Sequence, residues 1–354
     1  MTGPSAVDLV AGAPAYAPTL DGLRASPRRW LVTGGAGFIG SHLVEALLGL
    51  GQEVVVLDDL SSGYLANLDD VRARVGSGAA TRLRFVEGDL RDADAVAAAA
   101  AGVRVVLHHA AQVSVPRSIE DPLTAHHVNV TGFLHVLEAA REAGARVVYA
   151  ASSASYGDDP ADVKVEGRLG RPLSMYAASK TANEVYAAAY GQAYGLETVG
   201  LRYFNVFGAR QDPRGAYAAV IPAWIDALVR GERCRVHGDG LTTRDFCHVA
   251  NVVGANLLAA TTDAPAALGA VFNVGTGART TLLELHAAIV AAVREALPEA
   301  PGPAGASPEF GPFRPGDVRH SCADVTRART ELGFEPVVGL REGVAHTLGW
   351  FLSA

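Results

Sequence analysis

Tyr176 and Lys180 are the two residues whose types and spacing most directly suggest chemistry. They stand four positions apart in the sequence, so in a helix both side chains project from the same face. The pKa of a phenol is about 10, and a neighbouring ammonium favours the phenolate, which can accept a proton from an alcohol. We therefore predict that both residues are catalytic, with Tyr176 as general base. A solvated lysine beside a packed tyrosine is the structural alternative.

Lysine usage and a serine support the same prediction. Lys164 and Lys180 are the only lysines among 30 basic residues, which suggests that a compact ammonium is needed where arginine does not serve. Ser152 follows a predicted strand, at the sheet edge where parallel sheets bind ligands. Its hydroxyl is predicted to relay the proton or to hold a substrate oxygen, and Ser153 to face the substrate. A capping role is the alternative for Ser152.

A glycine-rich loop joins the first predicted strand to a helix. The loop has the sequence Gly34-Gly35-Ala36-Gly37-Phe38-Ile39-Gly40, and apolar residues then recur on one helical face. Gly34 permits the sharp turn, Gly37 lets the backbone approach a pyrophosphate, and Gly40 lets the helix pack closely on the strand. We predict a dinucleotide site that includes Gly34, Gly37, Phe38, Ile39 and Gly40. A tight turn without a ligand is the alternative.

Two acidic residues are predicted to contact the remainder of the dinucleotide. Asp58 ends the second predicted strand, 24 residues after Gly34, close to the spacing expected for a carboxylate that binds a ribose 2′-OH. Its negative charge disfavours a 2′-phosphate, so we predict NAD rather than NADP as the cofactor. Asp89 and Leu90, after the third predicted strand, are assigned to the adenine side.

The elements that position these residues predict an α/β fold. Strands are predicted at residues 30–33, 54–58, 83–87, 103–108, 146–150 and 198–202, with helical stretches between them. This alternation is typical of a Rossmann-type doubly wound parallel sheet with a smaller mixed α/β substrate-binding domain. We predict a loosely packed leader at residues 1–27, an NAD-binding domain at 28–204 and a smaller substrate-binding domain at 205–354. Residues 240–265 are expected to return to the NAD-binding domain.

Composition excludes several other classes of protein. The 354 residues carry a net charge of −7 and no basic cluster, so we expect no nucleic-acid partner. No apolar run is long enough for a membrane helix, and the three cysteines form no paired motif. We therefore expect a cytoplasmic protein without a membrane partner. Two adjacent histidine pairs, His108-His109 and His126-His127, lack supporting carboxylates, and we expect no metal site.

Taken together, these motifs resemble the extended short-chain dehydrogenase/reductase family over residues 28–354. Within it, several segments are similar to the UDP-N-acetylglucosamine (or N-acetylgalactosaminuronate) 4-epimerase branch: residues 115–119, 201–205, 209–213, 238–240, 244–246 and 314–317. The resemblance implies that His109, Ala110, Ala111, Asn129 and Tyr203 contact NAD, beside Tyr176 and Lys180. It also implies that Asn205, Arg244, Arg314 and Asp317 bind UDP. Surface ion pairing is the alternative for each arginine.

The departures from related enzymes narrow the expected reaction. Related dehydratases and decarboxylases carry glutamate where this chain has Ser153 or Ala154, so the acid or base for elimination is missing. Ser321 occupies a position held by tyrosine in epimerases confined to unacetylated sugars, which implies space for an N-acetyl group. We expect an NAD-dependent isomerase, a 4-epimerase of UDP-N-acetylglucosamine and UDP-N-acetylgalactosamine acting through a 4-keto intermediate. A UDP-uronic acid 4-epimerase and a non-catalytic NAD or UDP-sugar sensor are the alternatives.

A tyrosine stripe bears on the oligomeric state. Tyr186, Tyr190 and Tyr194 recur every four residues on the helix that carries Tyr176. Core packing is the ordinary interpretation of such a stripe. The family resemblance implies instead a helix bundle between two copies of the chain, and we expect a homodimer.

Overall fold

The computed structural model describes residues 3–213, 219–298, 307–313 and 318–353. Its central element is a parallel sheet of seven strands in the order β12-β7-β5-β4-β1-β2-β3. The central strands are rich in valine and leucine and are buried along most of their length, as expected for a parallel sheet covered on both faces. The predicted α/β fold of the Rossmann type is confirmed. The strands are β1 Arg29–Thr33, β2 Glu53–Asp58, β3 Leu83–Glu87, β4 Val105–His108, β5 Arg146–Ser152, β6 Val163–Lys164, β7 Thr198–Tyr203, β8 Asn205–Phe207, β9 Arg235–His237, β10 Thr243–Arg244, β11 Phe246–His248, β12 Val271–Val274, β13 Thr280–Thr281, β14 Glu309–Gly311 and β15 Cys322–Ala323.

Helices cover both faces of the sheet and enclose two apolar cores. One core lies around Trp30, Leu43 and the residues of α12, and the other around Leu31, Phe133 and Tyr149. Alternate residues of β1 enter the two cores, as the two-residue period of a strand requires. The helices are α1 Ala6–Ala11, α2 Ala17–Ala25, α3 Phe38–Gly49, α4 Leu65–Val75, α5 Ser77–Ala80, α6 Ala93–Ala100, α7 Val115–Glu120, α8 Pro122–His126, α9 Gly132–Ala143, α10 Met175–Tyr194, α11 Val220–Val229, α12 Val249–Thr261, α13 Leu282–Ala296, α14 Thr326–Leu332 and α15 Leu340–Ser353.

Strand register brings the predicted site residues to one edge of the sheet. Thr33 pairs with Leu57 in β2 and with His108 in β4, while Ser152 in β5 pairs with Tyr203 in β7. Because all these strands are parallel, their carboxyl ends meet at the same edge. The glycine loop, the second-strand carboxylate and the end of the fifth strand therefore lie near one another.

The seventh strand of the sheet was not predicted from the sequence. Strand β12 pairs with β7 from Val271 to Val274. Helix α12 packs against β5, β7 and β12. Residues 240–265 were expected to return to the sheet; the helix of that range does so, but the added strand lies beyond it. The division of the chain into two domains at residue 205 stays a prediction.

The expectation of a loosely packed leader is wrong for the described part of residues 1–27. The Tyr16 side chain is fully buried, its hydroxyl donates to the Glu335 carbonyl at 2.6 Å, and its ring lies against Gly254. Val10, Leu20 and Leu23 also join the core. The alanine and glycine content suggested mobility because small residues bury little area. Here they permit close approach of α1 and α12 instead.

The second half of the chain contributes a third apolar core. It gathers residues from α11, α13 and α15, among them Ile225, Ile289 and Val344, around short strands. Small parallel or antiparallel strand pairs connect these helices to the sheet edge that carries the site. Within the described ranges, no helix is both long and apolar enough to cross a membrane.

Candidate active site

Tyr176, Lys180 and Ser152 meet where α10 crosses the end of β5. Ser174 caps α10, its hydroxyl accepting the Ala177 N–H at 3.1 Å, which fixes the helix start one residue before Tyr176. The Ser152 hydroxyl accepts the Ala154 N–H at 3.1 Å, which is the capping role considered as the alternative, and it lies near enough to the Tyr176 phenol to lower its pKa. Lys180 Nζ donates to the Ala150 carbonyl at 2.7 Å and lies 6.0 Å from the centre of the tyrosine ring. A hydroxyl, a phenol and an ammonium are thereby held side by side.

Burial governs the pKa values of both ionisable groups. Burial lowers the pKa of Lys180 to about 8 because the charged form is desolvated. Burial also raises the pKa of Tyr176, while the Ser152 hydroxyl acts in the opposite direction. The Lys180 ammonium is bonded to the Ala150 carbonyl and does not by itself offset the burial of the phenol. Further positive charge at the site is therefore needed to make the phenolate at neutral pH.

Asn129 ties α10 to the loop after β4. It lies in a π-helical turn, His127–Thr131, a distortion often found at functional sites. Its Oδ1 accepts the Gln112 N–H at 2.7 Å, and its Nδ2 donates to the Gln112 carbonyl at 3.1 Å and to Ser179 Oγ at 3.0 Å. Ser179 Oγ in turn donates to the Tyr176 carbonyl at 2.8 Å. Both amide hydrogens are thus used within the protein, and Asn129 orients its neighbours.

The glycine loop forms a cradle that side chains would fill. Gly34 adopts φ = 71°, and a Cβ there would lie 2.6 Å from the Ala110 nitrogen. A Cβ on Gly40 would collide with the Gly34 backbone. Helix α3 begins after Gly37 at Phe38 and Ile39 without a side-chain cap, so its first N–H groups are available to a phosphate. These features fit the pyrophosphate of a dinucleotide.

Asp58 braces this loop and keeps its carboxylate at the site. Its Oδ2 accepts the Ala36 N–H and its Oδ1 accepts the Leu60 N–H, each at 2.9 Å. Burial raises the pKa of Asp58, and the two N–H donors oppose that shift. Because each carboxylate oxygen has a second lone pair, a ribose hydroxyl can still be bound. Gly63 must lack a side chain here, since a Cβ would lie 2.9 Å from Asp58 Oδ1.

Two residues assigned to the adenine side lie at the end of β3. Hydrogen bonds from Arg91 hold the Asp89 carboxylate and lower its pKa. Leu90 is buried, and its carbonyl is hydrogen-bonded to His135 Nδ1 at 2.8 Å. The Asp89 carboxylate is therefore already hydrogen-bonded to Arg91, whereas Leu90 offers an apolar surface to the predicted adenine side.

The loop after β4 is fixed by hydroxyl groups. Thr33 Oγ1 accepts the N–H groups of His109 and Ala110 at 3.2 and 3.3 Å, which sets the course of the chain into Ala111. The Tyr203 hydroxyl accepts from Asn256 Nδ2 and is bonded to His109 Nε2, each at 2.8 Å. Burial lowers the pKa of His109 to about 3, so the ring is neutral. Tyr203 therefore orients His109.

The residues assigned to UDP come together through short strands. Pairing of β8 with β11 places Asn205 beside Phe246, and its N–H donates to the Asp245 carbonyl at 3.1 Å. The Arg244 guanidinium donates to the Thr243 carbonyl at 2.8 Å, and the Ser321 N–H donates to the same carbonyl at 3.3 Å. Ser153 begins a short helical turn beside Ser152. Arg314 and Asp317 lie outside the described residues.

Sequence reasoning left three positioning residues unassigned. The Asp245 carboxylate is fully buried and accepts from Thr276 N and Oγ1, Gly277 N and Ala323 N at 2.7–3.2 Å. Ser118 Oγ accepts the Tyr176 N–H at 3.0 Å. Both amide atoms of the Gln112 side chain are buried without a partner among the described residues. Asp245 and Ser118 belong to the segments 244–246 and 115–119 noted above, but nothing in the sequence distinguished Gln112.

The other lysine has a structural environment. Lys164 is 2% exposed, and its Nζ donates to the Asp159 carbonyl at 2.6 Å. Its own carbonyl accepts from Asn273 Nδ2 at 2.8 Å. Lys164 is therefore held by contacts within the fold, and the scarcity of lysine does not by itself identify a catalytic residue.

Comparisons with known proteins agree with this geometry. The model of the NAD dependent epimerase/dehydratase family matches residues 30–275. The UDP-glucose 4-epimerase of Mycolicibacterium smegmatis is 44% identical over 326 residues, covering 91% of this chain and 98% of the relative. The dTDP-glucose 4,6-dehydratase of Streptomyces griseus is 36% identical over 326 residues, covering 91% and 93% respectively. A solved UDP-N-acetylglucosamine 4-epimerase from Methanobrevibacter ruminantium, in complex with UDP-N-acetylmuramic acid, is 35% identical with a TM-score of 0.83, covering 93% of this chain and 99% of that one.

The matched region contains the glycine cradle, Asp58, Ser152, Tyr176 and Lys180, and the full fold superposes on that of a solved epimerase. Identity above 30% over nine-tenths of the chain accompanies the match. The chain is therefore an enzyme of the NAD dependent epimerase/dehydratase family.

Proposed function

We propose that this enzyme is a 4-epimerase of UDP-linked hexoses that accepts the N-acetylated sugars UDP-N-acetylglucosamine and UDP-N-acetylgalactosamine. The proposal depends above all on one observation: the ammonium of the buried Lys180 lies 6.0 Å from the centre of the Tyr176 ring, and Ser152 is near enough to the phenol to lower its pKa. This group can accept a proton from an alcohol and return it, which is the acid–base work that reversible oxidation of a sugar hydroxyl requires.

The cofactor assigned to the glycine cradle supplies the redox chemistry. NAD held there would supply reversible hydride transfer at C4 of the hexose, and return of the hydride to the opposite face would make the net reaction an isomerisation. Gly34, Gly37 and the first N–H groups of α3 would hold its pyrophosphate, and Asp58 would hold a ribose hydroxyl. The buried Asp58 carboxylate disfavours a 2′-phosphate, in agreement with an NAD-dependent family.

The chain's own residues handle the proton. Tyr176 removes the proton of the sugar 4-OH as the C4–O bond becomes a carbonyl, and Ser152 donates a hydrogen bond to the phenolate or to the substrate oxygen. Lys180 keeps a positive charge within 6.0 Å of the ring at neutral pH, since its pKa is about 8. After the ring has turned, Tyr176 returns the proton to the 4-oxygen.

Substrate class follows from the residues beyond the sheet edge. Asn205, in β8, and Arg244, in β10 just before the β11 strand that pairs with β8, are proposed to bind UDP. Ser321 is small and lies next to the strand that carries Arg244, which leaves space for an acetamido group. Ser153 and Ala154 provide no carboxyl group, which argues against the elimination that a dehydratase performs.

Tyr176→Phe tests the chemistry. We expect turnover of UDP-N-acetylglucosamine to fall at least ~100-fold, with UDP affinity nearly unchanged, because only the proton transfer is removed. Tyr186→Phe is the matched control, since that tyrosine lies on the same helix, is 40% exposed and follows Tyr176 by ten residues. Near-normal turnover in Tyr176→Phe would remove this residue from the reaction.

A substrate panel tests the specificity. The NAD-loaded enzyme is incubated with UDP-N-acetylglucosamine, UDP-glucose and UDP-N-acetylglucosaminuronate, and the C4 epimers are separated by chromatography. We expect the N-acetylhexosamine to be converted fastest. Faster conversion of the uronate would assign the enzyme to UDP-uronic acids, and no epimer from any substrate would end the proposal.

We further propose that the enzyme is a homodimer joined through α10. Val185 and Tyr194 on this helix are 64% and 59% exposed, which is unusual for apolar and aromatic side chains of this size. Tyr190 makes an edge-to-face contact with Tyr194 and donates to Glu138 of α9, so the two helices form one face. Light scattering is expected to give twice the chain mass, and Val185→Glu to give the mass of a single chain.

A further inference from the structure

Four arginines gather at the edge of the sheet opposite to the candidate active site. Arg29 begins β1, Arg104 precedes β4 and Arg146 begins β5. The Arg104 N–H donates to the Arg29 carbonyl at 2.8 Å, and the Arg146 N–H donates to the Arg104 carbonyl at 3.1 Å. Because neighbouring strands lie about 4.8 Å apart, Arg29 and Arg104, which the register places opposite each other, project next to each other from one face of the sheet. Arg146 pairs with Val105 and projects from the other face at the same edge. Arg28 adds a fourth.

The positive charge of this group is only partly balanced. Arg29 Nε pairs with Glu53 at 3.2 Å, and Arg146 pairs with Glu197 at 2.7 Å and donates to two carbonyls at the end of α12. Within the described part of the chain, the side chains of Arg28 and Arg104 have no hydrogen-bond or ion-pair partner. Like charges on neighbouring strands destabilise a sheet, so an anion between them would be favourable.

The four arginines line a single cavity. Its volume is about 570 Å³, and Ser26, Pro27 and Glu197 complete its wall. That volume is within the range of small-molecule sites. A guanidinium group is planar and permanently charged, and two of its N–H groups can donate to two oxygens of one phosphoryl group. A concave wall with several guanidinium groups therefore favours a small anion over a flat macromolecular surface.

We propose that this cavity binds a compact anion with two or more phosphoryl groups. The site lies at the amino ends of β1, β4 and β5, about five residues and so roughly 16 Å from the carboxyl ends that carry the glycine loop and Ser152. Arg28 and Arg104 are its free donors, and Arg29 and Arg146 its partly neutralised ones. Occupation does not obstruct the site of NAD or sugar, and the proposal is independent of the reaction the enzyme performs.

Calorimetric titration tests the binding. The full-length enzyme is first saturated with NAD and UDP, so that the candidate active site is filled, and is then titrated with inorganic pyrophosphate and, separately, with ADP. We expect one further binding event per chain. Arg104→Ala and Arg28→Ala should each weaken it at least ~10-fold, because each removes a charge-assisted hydrogen bond. Arg84→Ala, a similarly exposed strand arginine away from the cavity, is the matched control.

Thermal unfolding provides a second, independent measurement. Pyrophosphate should raise the Tm of the NAD- and UDP-saturated enzyme by about 2 °C or more, and the rise should be absent in Arg104→Gln. Without pyrophosphate, Arg104→Gln should unfold at the same temperature as the native chain or higher, because a repulsive charge is removed. Tighter binding of ADP than of pyrophosphate would identify a nucleotide as the occupant, and the reverse an inorganic diphosphate. No additional binding, or equal loss in Arg84→Ala, would overturn the proposal.

Discussion

Asp245→Asn is predicted to unlock the region that holds the proposed UDP residues. The Asp245 carboxylate is buried between β10 and β11 and accepts four hydrogen bonds from the Thr276–Gly277 turn and from Ala323. Asparagine has nearly the same shape but replaces one acceptor oxygen with an NH₂ group. That group cannot accept from Gly277 N or Ala323 N, which lie 2.9 and 3.2 Å from Oδ2.

The expected destabilisation follows from those two lost bonds. A hydrogen bond to a charged group contributes about 1.5–3 kcal/mol, and two buried N–H donors are left facing another donor. The free energy of unfolding should therefore fall by about 3–6 kcal/mol. Burial raises the pKa of Asp245, while the four donors oppose that shift. Part of the loss is therefore offset, because a neutral side chain avoids the cost of a buried charge.

Urea unfolding and steady-state kinetics measure the two consequences. Besides the loss of stability, the KM for the UDP-sugar should rise more than kcat falls. Arg244 is the neighbour of Asp245 in the chain and Ser321 lies two residues before its partner Ala323, whereas Tyr176 belongs to another element. Asp239→Asn is the control: that carboxylate is exposed and pairs with Arg319, so its loss should cost less than about 1 kcal/mol. A native-like unfolding curve for Asp245→Asn would refute the assigned role of the carboxylate.

Three further predictions concern other parts of the fold. Gly40→Ala should weaken NAD binding at least ~100-fold in a fluorescence titration, because its Cβ would collide with Gly34, whereas Gly49→Ala on the same helix has free space and should bind normally. Tyr16→Phe removes the hydroxyl that links the N-terminal helices to Glu335, and should lower the free energy of unfolding by about 2 kcal/mol, with Tyr186→Phe unchanged. Burial lowers the pKa values of His42, His109 and His248 to about 3, so the unfolded chain binds more protons below pH 6.5. Stability should therefore decrease as the pH falls from 6.5 to 5.5, by up to about 1.4 kcal/mol per pH unit for each histidine. Because burial also lowers the pKa values of His108 and His286, His42→Asn should reduce that slope by roughly a fifth to a quarter; a flat profile would contradict it.

The sheet and the candidate catalytic group could be predicted from the sequence because their signals are local. Glycines at residues 34–40, an acidic strand end at Asp58 and the Tyr176–Lys180 spacing each reflect chemistry within a few residues of chain. The first six strands of the sheet follow the predicted runs closely, with β5 extended through Ser152 and β7 through Tyr203. Short-range patterns of this kind fix periodicity and turn geometry.

The features that were missed depend on contacts distant in sequence. Strand β12 is only four residues long and is defined by its pairing with β7, some 70 residues earlier. Tyr16 is buried because it meets residues 254 and 335, which no local pattern reports. The pKa of Tyr176 depends in the same way on burial, and Lys180 is bonded to the carbonyl of Ala150, 30 residues earlier.

Strand β12 and helix α12 have a consequence for protein engineering. Both come from the half of the chain that carries the proposed UDP residues, yet one completes the central sheet and the other covers its face. Exchanging the C-terminal half with that of a relative at residue 205 would therefore graft a foreign edge strand and a foreign core onto the NAD-binding half. A chimera designed to transfer sugar preference should instead exchange only the short strands and loops around Asn205, Arg244 and Ser321, leaving residues 249–274 native.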